Sequence, residues 1–458
     1  MRGSRRLAAL ALAVAPHLVP CGLTAQPAPA AHPSRRALAA VLRRSLREDL
    51  LHRWYPRAVD ADSGGFLSQF TYRFEPDGAQ EKMIVTQARH VWTTARAAQF
   101  FPAEPMYLRA SKHGFLFLRD RMWDHEKGGF FWLVTRGGTP KEEAPSRIVK
   151  QAYGEAFAIY GLAGYYDASH DARALALAKD TFHWLERHAH DPESGGYFNY
   201  MERDGTPLRS GYGNDPPKDQ NSSIHLLEAF TELYRVWPDS LLRERLAEML
   251  RLVRDTLRTD PGYLQLFFSA RWQPLSYRDA PDSVRRADHF RDHVSFGHDI
   301  ETAYLMLEAS EALGLKHDER TERYAKQMTD HALRNGWDAS VGGFYDEGYY
   351  LKDKPGLTIT YDTKNWWAQA EGLNTLLLMA DRYPADSLRY EDHFFQQWSY
   401  IDRYLIDHRY GGWYVGGLDK EPDARTALKG QIWKAAYHDG RALMNVIRRL
   451  EQRPSRNR

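Results

Sequence analysis

Apolar and polar residues alternate along this chain mainly with the period of an α-helix, and this pattern begins near residue 35. Between residues 151 and 166, one helical face carries Tyr153, Phe157, Tyr160, Gly161 and Gly164. Strand-like patterning is short and rare. Its clearest case is the apolar run 130–134, which is followed by a Gly-Gly-Thr-Pro turn at 137–140 and predicts one arm of a β-hairpin. The pattern predicts a helical protein with short hairpins in its loops.

A turn of constant pattern recurs between the predicted helices: one Asp, three residues, two glycines and an aromatic residue. Five copies begin at Asp60, Asp124, Asp191, Asp338 and Asp407. A degenerate sixth copy, Asp260-Pro261-Gly262-Tyr263, fills the one gap, and the successive steps are about 64, 67, 69, 78 and 69 residues. One such unit cannot bury its apolar face alone, whereas six can close on each other. We therefore predict an all-α fold, an (α/α)6 barrel of twelve antiparallel helices in two concentric layers, with short β-hairpins in the connecting loops.

The composition of the chain bears on what kind of molecule the protein binds. The 458-residue chain has a formal net charge of +2, which gives no electrostatic footprint for nucleic acid or an anionic membrane surface. Aromatic residues make up 13% of the chain, which suits a large core and a cleft that stacks on sugar rings. We expect a small-molecule substrate and a monomer.

The first 30 residues resemble a secretory signal peptide. Arg2, Arg5 and Arg6 precede a mostly apolar stretch, 7–19, that is too short to span a bilayer. The single cysteine, Cys21, lies inside this segment, either as an incidental residue or as a site of lipid attachment. We expect residues 1–30 to be removed on export to the periplasm or the extracellular space, without a membrane anchor afterwards, and residues 31–458 to form one catalytic domain.

One position near the start of the second helix of each repeat carries unusual side chains. These six positions are Arg89, Tyr153, His225, His298, Trp367 and His438. They are separated by about 64 to 73 residues and so follow the repeat. Equivalent positions in a closed ring point at the same mouth, so we expect these six side chains to share a polar site that also stacks on its ligand.

The residue types at this mouth suit proton transfer. His298 and Glu301 share a helix face, as do His225 and Glu228, and a carboxylate beside an imidazole fixes its tautomer. The acidic residues at helix starts are also explained by the helix dipole alone. Three imidazoles can hold zinc, but the ring spacing places these three on separate helices and we identify no His-x3-His or His-Glu-x2-His pair, so we expect no metal.

Two further positions complete the candidate chemistry. Arg89 offers a cation for a developing oxyanion, or else a structural salt bridge. Trp367 offers a stacking platform, with the Glu371 carboxylate one turn later, and core packing is the alternative for the indole. Tyr153 fits either a sugar-hydroxyl contact or a buried structural role.

Six ordered segments resemble the N-acylglucosamine 2-epimerase superfamily, and within it the cellobiose 2-epimerases. They are 89–92 (Arg-His-Val-Trp), 150–157 (Lys-Gln-Ala-Tyr-Gly-Glu-Ala-Phe), 221–229, 297–301 (Gly-His-Asp-Ile-Glu), 366–371 (Trp-Trp-Ala-Gln-Ala-Glu) and 433–438. The resemblance runs from about residue 51 to 449. It implies an (α/α)6 barrel that interconverts glucose and mannose at the reducing end of a β-1,4 disaccharide through a cis-enediolate, without a metal or nucleotide cofactor.

The resemblance also implies roles for individual residues. His298 and His438 would be the two acid/base groups, and Glu301 would orient His298. His225 and Arg89 would hold O1 and the enediolate. The substrate-binding residues would be the two stacking tryptophans and three hydroxyl-binding side chains, namely Trp367, Trp433, Tyr153, Asn221 and Glu371. The chain departs from the superfamily pattern beside the site, where Asn365 and Ala368 replace a usual His and Pro and Asp439-Gly440 follows His438, and these changes bear on substrate preference.

Three other functions remain open at this stage. An aldose–ketose isomerase acting on mannose-type sugars would use the same enediolate and reprotonate C1. A glycoside hydrolase on the same barrel would need two carboxylates facing the scissile bond, whereas the ring positions here hold histidine and arginine. A non-catalytic sugar-binding barrel would have no need of the two acid/base histidines.

Overall fold

The computed structural model describes residues 32–142 and 147–452, and the described residues from Ser34 onward form one compact unit. The expected signal segment 1–30 and its Cys21 lie outside the described residues. The helices, in chain order, are α1 (Arg35–Arg44), α2 (His52–Trp54), α3 (Ile84–Phe100), α4 (Met106–Phe117), α5 (Ala152–Ser169), α6 (Ala172–His188), α7 (Gln220–Val236), α8 (Ser240–Leu252), α9 (Asp282–Asp288), α10 (Phe296–Ala312), α11 (Glu319–Gly336), α12 (Trp366–Arg382), α13 (Tyr390–Tyr404) and α14 (His438–Glu451). Short π-helical turns, Ser45–Leu51, Leu118–Met122 and Val253–Leu257, follow α1, α4 and α8.

The twelve helices of ten or more residues form two layers, as the repeat predicts. The inner layer is a closed ring in which α3, α5, α7, α10, α12 and α14 each pack on the next, and α14 returns to α3. The outer helices α1, α4, α6, α8, α11 and α13 each pack mainly on one inner helix, and α4, α8 and α11 also touch a second. Inner helices are buried almost all round, whereas the outer helices bury one stripe. The predicted (α/α)6 barrel is confirmed.

Short antiparallel strands connect successive repeats. They are β1 (Lys82–Met83), β2 (Leu133–Val134), β3 (Val149–Gln151), β4 (Tyr200–Glu202), β5 (Lys218–Asp219), β6 (Phe267–Phe268), β7 (Val294–Ser295), β8 (Glu347–Tyr349) and β9 (Thr358–Tyr361). β1 pairs with β2, β3 with β4 and β5 with β6, while β7, β8 and β9 form one three-stranded sheet. In the β1–β2, β3–β4, β5–β6 and β7–β8 pairs, the strand that enters an inner helix is held by a strand of the following repeat.

The repeated Asp turns are architectural and rest on buried lysines that the sequence pattern did not single out. In the third repeat, Lys218 Nζ donates to Asp191 Oδ2 at 2.7 Å and to the carbonyl of Gly195 at 3.0 Å. The same pairing joins Asp60 to Lys82, Asp124 to Lys150, Asp338 to Lys364 and Asp407 to Lys429. The degenerate sixth turn lacks this pairing. Asp260 is exposed, and Val294 stands two residues before α10, where α3, α5, α7 and α12 have a lysine.

Candidate active site

The six ring positions meet at one end of the inner barrel, where the N-termini of the inner helices converge. Arg89 Nη2 donates to the hydroxyl of Tyr153 at 3.2 Å, and the ring of Tyr153 lies 5.3 Å from that of His225. On the other side of the mouth, the ring of Trp367 lies 4.7 Å from that of His298 and 5.8 Å from that of His438. The structure therefore brings together the residues that the repeat spacing grouped.

His438 is the first residue of α14 and is backed by a carboxylate. Its Nδ1 lies 2.6 Å from Glu371 Oε1. The same oxygen accepts a hydrogen bond from Arg441 Nη2 at 2.7 Å, and Tyr304 donates to Oε2 at 2.9 Å. Because Glu371 Oε1 is an acceptor, His438 donates its Nδ1–H and keeps its Nε2 lone pair available to the mouth.

This arrangement corrects the expected role of Glu371. We expected its carboxylate to bind a sugar hydroxyl, but the side chain is fully buried and both of its oxygens already accept hydrogen bonds within the barrel. The error has a simple cause. Helical spacing places Glu371 on the face that carries Trp367 but one turn further along the helix, where it contacts the imidazole of His438 from beneath.

A buried guanidinium forms the centre of the layer beneath the histidines. Arg441 contacts three carboxylates, Glu228 through Nη1 and both Glu301 and Glu371 through Nη2. Glu228 also lies 2.8 Å from His225 Nδ1, so this layer supports two of the three histidines from below. Sequence reasoning missed Arg441. A signal was present, because Arg441 lies three residues after His438, which is the spacing that separates Glu228 from His225 and Glu301 from His298.

His298 has a different partner from the expected one. Its Nδ1 lies 2.9 Å from the hydroxyl of Ser295, the last residue of β7. Glu301, which we expected to orient His298, instead contacts Arg441 and lies 4.0 Å from His438 Nδ1. The expected pairing is therefore wrong: Glu301 points inward to the buried cation, and Ser295 takes its place at His298.

Burial and nearby positive charge favour the neutral form of His298 and of His438. Burial, together with the charges of nearby histidines and Arg89, lowers the pKa of His298 to about 3. Burial and the charges of Arg89, Arg441 and His225 hold the pKa of His438 well below its usual range. Helix N-termini act in the same direction, because their partial positive charge disfavours an imidazolium. Both imidazoles can therefore accept a proton at neutral pH.

The carboxylates around Arg441 differ in their proton affinity. Burial alone would raise the pKa of Glu228, but Arg441 and the hydrogen bonds from His225 and Tyr437 hold it at about 2. Burial and the charge of Glu371 raise the pKa of Glu301 to about 7, against the opposing charge of Arg441. The pKa of Glu371 is likewise raised by burial. The layer thus combines one firmly ionised carboxylate with two that hold a proton more readily.

Arg89 sits against aromatic faces as well as polar atoms. Its guanidinium carbon lies 4.3 Å from the ring centre of Phe157, and its Nε is buried without a hydrogen-bond partner. Asn221, on the first turn of α7, has a buried Oδ1 that also lacks a partner. Among the described residues, no carboxylate forms a salt bridge with Arg89. The structure therefore does not support a structural salt bridge as the role of Arg89.

An aromatic ledge forms the outer rim beside Tyr153. Trp433 is 45% exposed, and its ring lies 6.0 Å from that of Trp132 and 6.5 Å from that of Tyr153. Trp132 belongs to the hairpin arm that the apolar run at 130–134 predicted, but that run gave no indication that Trp132 lies at the site. The ledge offers a flat apolar surface outside the histidine mouth.

One cluster at the mouth has the ligand types of a metal site. Glu301, Glu371 and His438 offer ligand atoms within 4.8 Å of one another. Arg441 Nη2 contacts both of these carboxylates, so a guanidinium already supplies the positive charge that a metal would bring. Sequence reasoning also overlooked His289 and His293, four residues apart just before α10.

No helix in the described part of the chain combines the length and apolar character needed to cross a membrane.

Comparison with known proteins identifies the family of the chain. Residues 64–440 match the N-acylglucosamine 2-epimerase (GlcNAc 2-epimerase) family. The chain is 30% identical over 416 residues to cellobiose 2-epimerase of Ruminococcus albus, covering 89% of this chain and 98% of the relative. It is 26% identical to D-mannose isomerase of Thermobifida fusca, covering 72% and 77% of the two chains.

A solved structure extends the likeness to three dimensions. Cellobiose 2-epimerase from Spirochaeta thermophila superposes with a TM-score of 0.78 at 31% identity, over 91% of this chain and 97% of that one. Sequence and fold agree over nearly the same residues. The chain is therefore a carbohydrate epimerase or isomerase that belongs to the N-acylglucosamine 2-epimerase family and is most like its cellobiose 2-epimerases.

Proposed function

We propose that the protein interconverts glucose and mannose at the reducing end of a β-1,4-linked disaccharide such as cellobiose, by inverting C2. The observation that carries the proposal is the placement of His298 and His438. They come from different inner helices, and both approach the indole of Trp367. A sugar stacked at this indole would have an imidazole within reach from two directions.

The reaction requires two proton-transfer groups. After the aldose opens, the C1 carbonyl acidifies the proton on C2, and a neutral imidazole removes it to give a cis-enediolate. Return of a proton to the opposite face of C2 inverts that carbon, and this needs a second acid on the other side. In our proposal, His298 and His438 exchange these two roles between the forward and reverse directions.

The mouth also suits the charge of the intermediate. The N-termini of six inner helices surround it, and each carries a partial positive charge. Arg89 has a buried Nε with no partner in the described residues. These groups are fixed before the reaction begins, so they would stabilise the enediolate oxygens at little reorganisation cost. His225 and Arg89 are the proposed ligands of O1, while Tyr153 and Asn221 would bind sugar hydroxyls.

The ledge favours a disaccharide over a single sugar. Trp367 lies among the histidines, whereas Trp433 lies at the rim with Trp132 beside it. We assign Trp367 to the reducing-end sugar and Trp433 to the second sugar. A monosaccharide would use only the inner of these two platforms.

Two alternatives use the same barrel. A mannose-type aldose–ketose isomerase would use the same histidines and return the proton to C1, and the likeness to the Thermobifida fusca enzyme keeps this candidate open. Hydrolysis is less favoured, because it needs two carboxylates that face the scissile bond. Glu228, Glu301 and Glu371 are instead buried against Arg441.

Proton NMR in D2O tests the proposal. The purified protein would be incubated with cellobiose, with mannobiose and with mannose. Deuterium at C2, together with the C2 epimer, is the expected result with the disaccharides. A ketose product would make the protein an isomerase, and release of free monosaccharides from cellobiose would remove the acid/base assignment of the histidines.

We also propose that the protein is exported after removal of about its first 30 residues, because Arg2, Arg5 and Arg6 precede an apolar stretch. Mass spectrometry of the protein from a fractionated native host tests this. A mature N-terminus near residue 31 in the periplasm or medium is expected, and an uncut chain in the cytoplasm would refute it.

A further inference from the structure

One of the six repeated turns carries an arginine where the other five have an apolar residue or a histidine. In each regular turn, one residue forms a β-bridge to the aromatic residue after the glycines, namely Val59, Trp123, His190, Trp337 or Ile406. In the degenerate sixth turn, the bridging residue is Arg258, which pairs with Leu264. The sixth turn thus lacks the buried lysine–aspartate pair of the other five and carries a guanidinium instead.

The charge of Arg258 is poorly compensated. Its side chain is only 8% exposed, and the one carboxylate within 4 Å among the described residues is that of Asp260, which is fully exposed and lies 3.9 Å from Nη2. Nη1 donates to Gln327 Oε1 at 3.0 Å and to the carbonyl of Thr259, whereas Nε is buried without a hydrogen-bond partner. Burying a charge is costly unless a counter-charge lies close to it. Arg258 therefore lacks an anion beside Nη2.

Arg258 borders a cleft of about 640 Å³ between the sixth turn and the outer helix α11. This volume is within the range of small-molecule sites. Charged side chains dominate its lining, with the basic groups of Arg258, Arg323, Lys326 and Arg334 and the acidic groups of Asp260 and Asp330. Four basic groups against two acidic ones leave an excess of two positive charges. We call this site the basic cleft.

The better shielded of the two carboxylates in the basic cleft is already neutralised. Asp330 Oδ2 accepts a hydrogen bond from Lys326 Nζ at 2.8 Å. Arg334 is 62% exposed and approaches Asp330 only to 3.7 Å. In the described part of the chain, no carboxylate forms a salt bridge with Arg323. The guanidinium groups of Arg258, Arg323 and Arg334 therefore have donors to offer to a ligand.

The ring of Tyr324 orders two of these guanidinium groups. The Cζ atom of Arg258 lies 3.8 Å from the ring centre of Tyr324, and that of Arg323 lies 5.1 Å from it. Stacking on an aromatic face fixes the plane of a guanidinium, so less side-chain freedom is lost when an oxyanion binds. The basic cleft is thus organised before a ligand arrives.

We propose that the basic cleft binds the phosphate group of a small molecule, either inorganic phosphate or a phosphate ester. Phosphate carries close to two negative charges at neutral pH, which matches the excess charge of the cleft. Its oxygens accept directed, charge-assisted hydrogen bonds from several guanidinium groups at once, whereas a monocarboxylate brings one charge. The basic cleft shares no residue with the histidine mouth, so the proposal does not rest on the epimerase reaction.

Isothermal calorimetry on the full protein tests the proposal, in phosphate-free buffer at constant ionic strength. Inorganic phosphate and glucose 6-phosphate would be titrated separately, and one anion per chain is expected. Tighter binding of glucose 6-phosphate would identify an ester as the ligand, and equal affinities would mean that the phosphate group alone is recognised. Glucuronate, a sugar monocarboxylate, should bind about tenfold more weakly than glucose 6-phosphate. Equally tight binding of glucuronate would overturn the assignment to phosphate.

Variants of the exposed arginines separate ligand binding from folding. Arg323→Gln and Arg334→Gln should each weaken phosphate binding by about tenfold, because each removes a charged donor, and should leave the thermal unfolding temperature unchanged. Arg258→Gln should abolish binding. Because Arg258 also bonds Gln327, its variant is interpreted only together with the other two.

Arg409→Gln is the matched control. Arg409 is exposed, and its Cζ lies 5.0 Å from the ring centre of the adjacent Tyr410, as Arg323 lies beside Tyr324, but it belongs to the regular turn that begins at Asp407. This variant should bind phosphate as the wild type does. Wild-type affinity in both Arg323→Gln and Arg334→Gln, an equal loss in Arg409→Gln, or no binding to the wild type at millimolar phosphate would each overturn the proposal.

Discussion

Nδ1 of His438 and Oε1 of Glu371 lie 2.6 Å apart, although the two residues are 67 positions apart on neighbouring inner helices. Arg441 holds the same oxygen from below. The carboxylate therefore cannot turn toward the sugar, and it fixes the tautomer in which His438 presents its Nε2 lone pair. The base of the proposed reaction is set by a contact between two helices rather than within one.

Glu371→Gln tests this relationship. The amide keeps the shape but removes the charge that holds the Nδ1 proton, so we expect kcat for epimerisation to fall by about 100-fold or more, with a smaller change in KM. Steady-state rates by NMR or coupled assay give the two constants. Tyr304→Phe, which removes only the donor to Oε2, is the matched control and should keep most of the activity. An unchanged kcat in Glu371→Gln would contradict a role for this contact.

Single-histidine variants should separate proton exchange from epimerisation. In His298→Asn or His438→Asn, one imidazole remains and can still remove and return a proton on its own face of C2. We expect net epimerisation to fall by about 10²–10⁴-fold, the usual contribution of a general acid or base. Each variant should still exchange C2–H for deuterium in one epimer, and the two variants should act on different epimers.

The measurement is proton NMR in D2O, started separately from the glucose and the mannose form of the disaccharide. Circular dichroism should show the wild-type helical signal in both variants. If His298→Asn and His438→Asn exchange the same epimer, the two imidazoles do not serve opposite faces. Near-normal epimerisation in either variant would remove that residue from the mechanism.

The buried Lys218–Asp191 pair should be important for stability. Both side chains are almost fully buried, and Lys218 Nζ also bonds the carbonyl of Gly195. Lys218→Met leaves the Asp191 carboxylate uncompensated, and we expect a loss of about 3–5 kcal/mol in unfolding free energy. The double variant Lys218→Met with Asp191→Asn should recover part of this loss. Urea unfolding measures both, and a single variant as stable as the wild type would contradict the assignment.

The sequence could predict the repeat and the ring positions, because both depend on spacing along one chain. It could not predict which partners lie beneath the ring. Arg441 meets its carboxylates from three other helices, and Ser295 reaches His298 from a strand. Helical periodicity indicates which face of a helix a residue lies on. It does not indicate how deeply the side chain is buried or which residue of another helix it contacts. Glu371 was therefore predicted on the correct face but with the wrong role.

Trp433 should contribute to the binding of the second sugar and not to the binding of the reducing-end sugar. It is 45% exposed at the rim, and we expect Trp433→Ala to raise KM for cellobiose about tenfold, which corresponds to about 1.4 kcal/mol of lost binding. KM and kcat for a monosaccharide substrate should be unaffected, which serves as the internal control. An equal rise in KM for both substrates would place Trp433 at the reducing-end sugar instead.

Acid should destabilise the protein through His90. This residue is fully buried in α3, stacked on Phe66 at 4.6 Å, with Nδ1 2.8 Å from the hydroxyl of Tyr55 and Nε2 unpartnered. Burial lowers its pKa to about 3. Between about pH 6.5 and pH 3 the unfolded chain therefore binds a proton that the folded chain does not, so stability falls as pH falls, by about 1.4 kcal/mol per pH unit for this one group.

His90→Phe removes this titration while keeping an aromatic ring of similar shape against Phe66. Between pH 6 and pH 4.5, we expect the unfolding free energy of the variant to fall less steeply than that of the wild type, by about 1.4 kcal/mol per pH unit. Loss of the hydrogen bond between His90 and Tyr55 should lower the stability of the variant at pH 8. Urea unfolding across this pH range gives the slopes. His408→Phe, at an exposed position, is the matched control and should keep the wild-type slope. If His90→Phe keeps it as well, His90 is not among the groups through which acid unfolds the barrel.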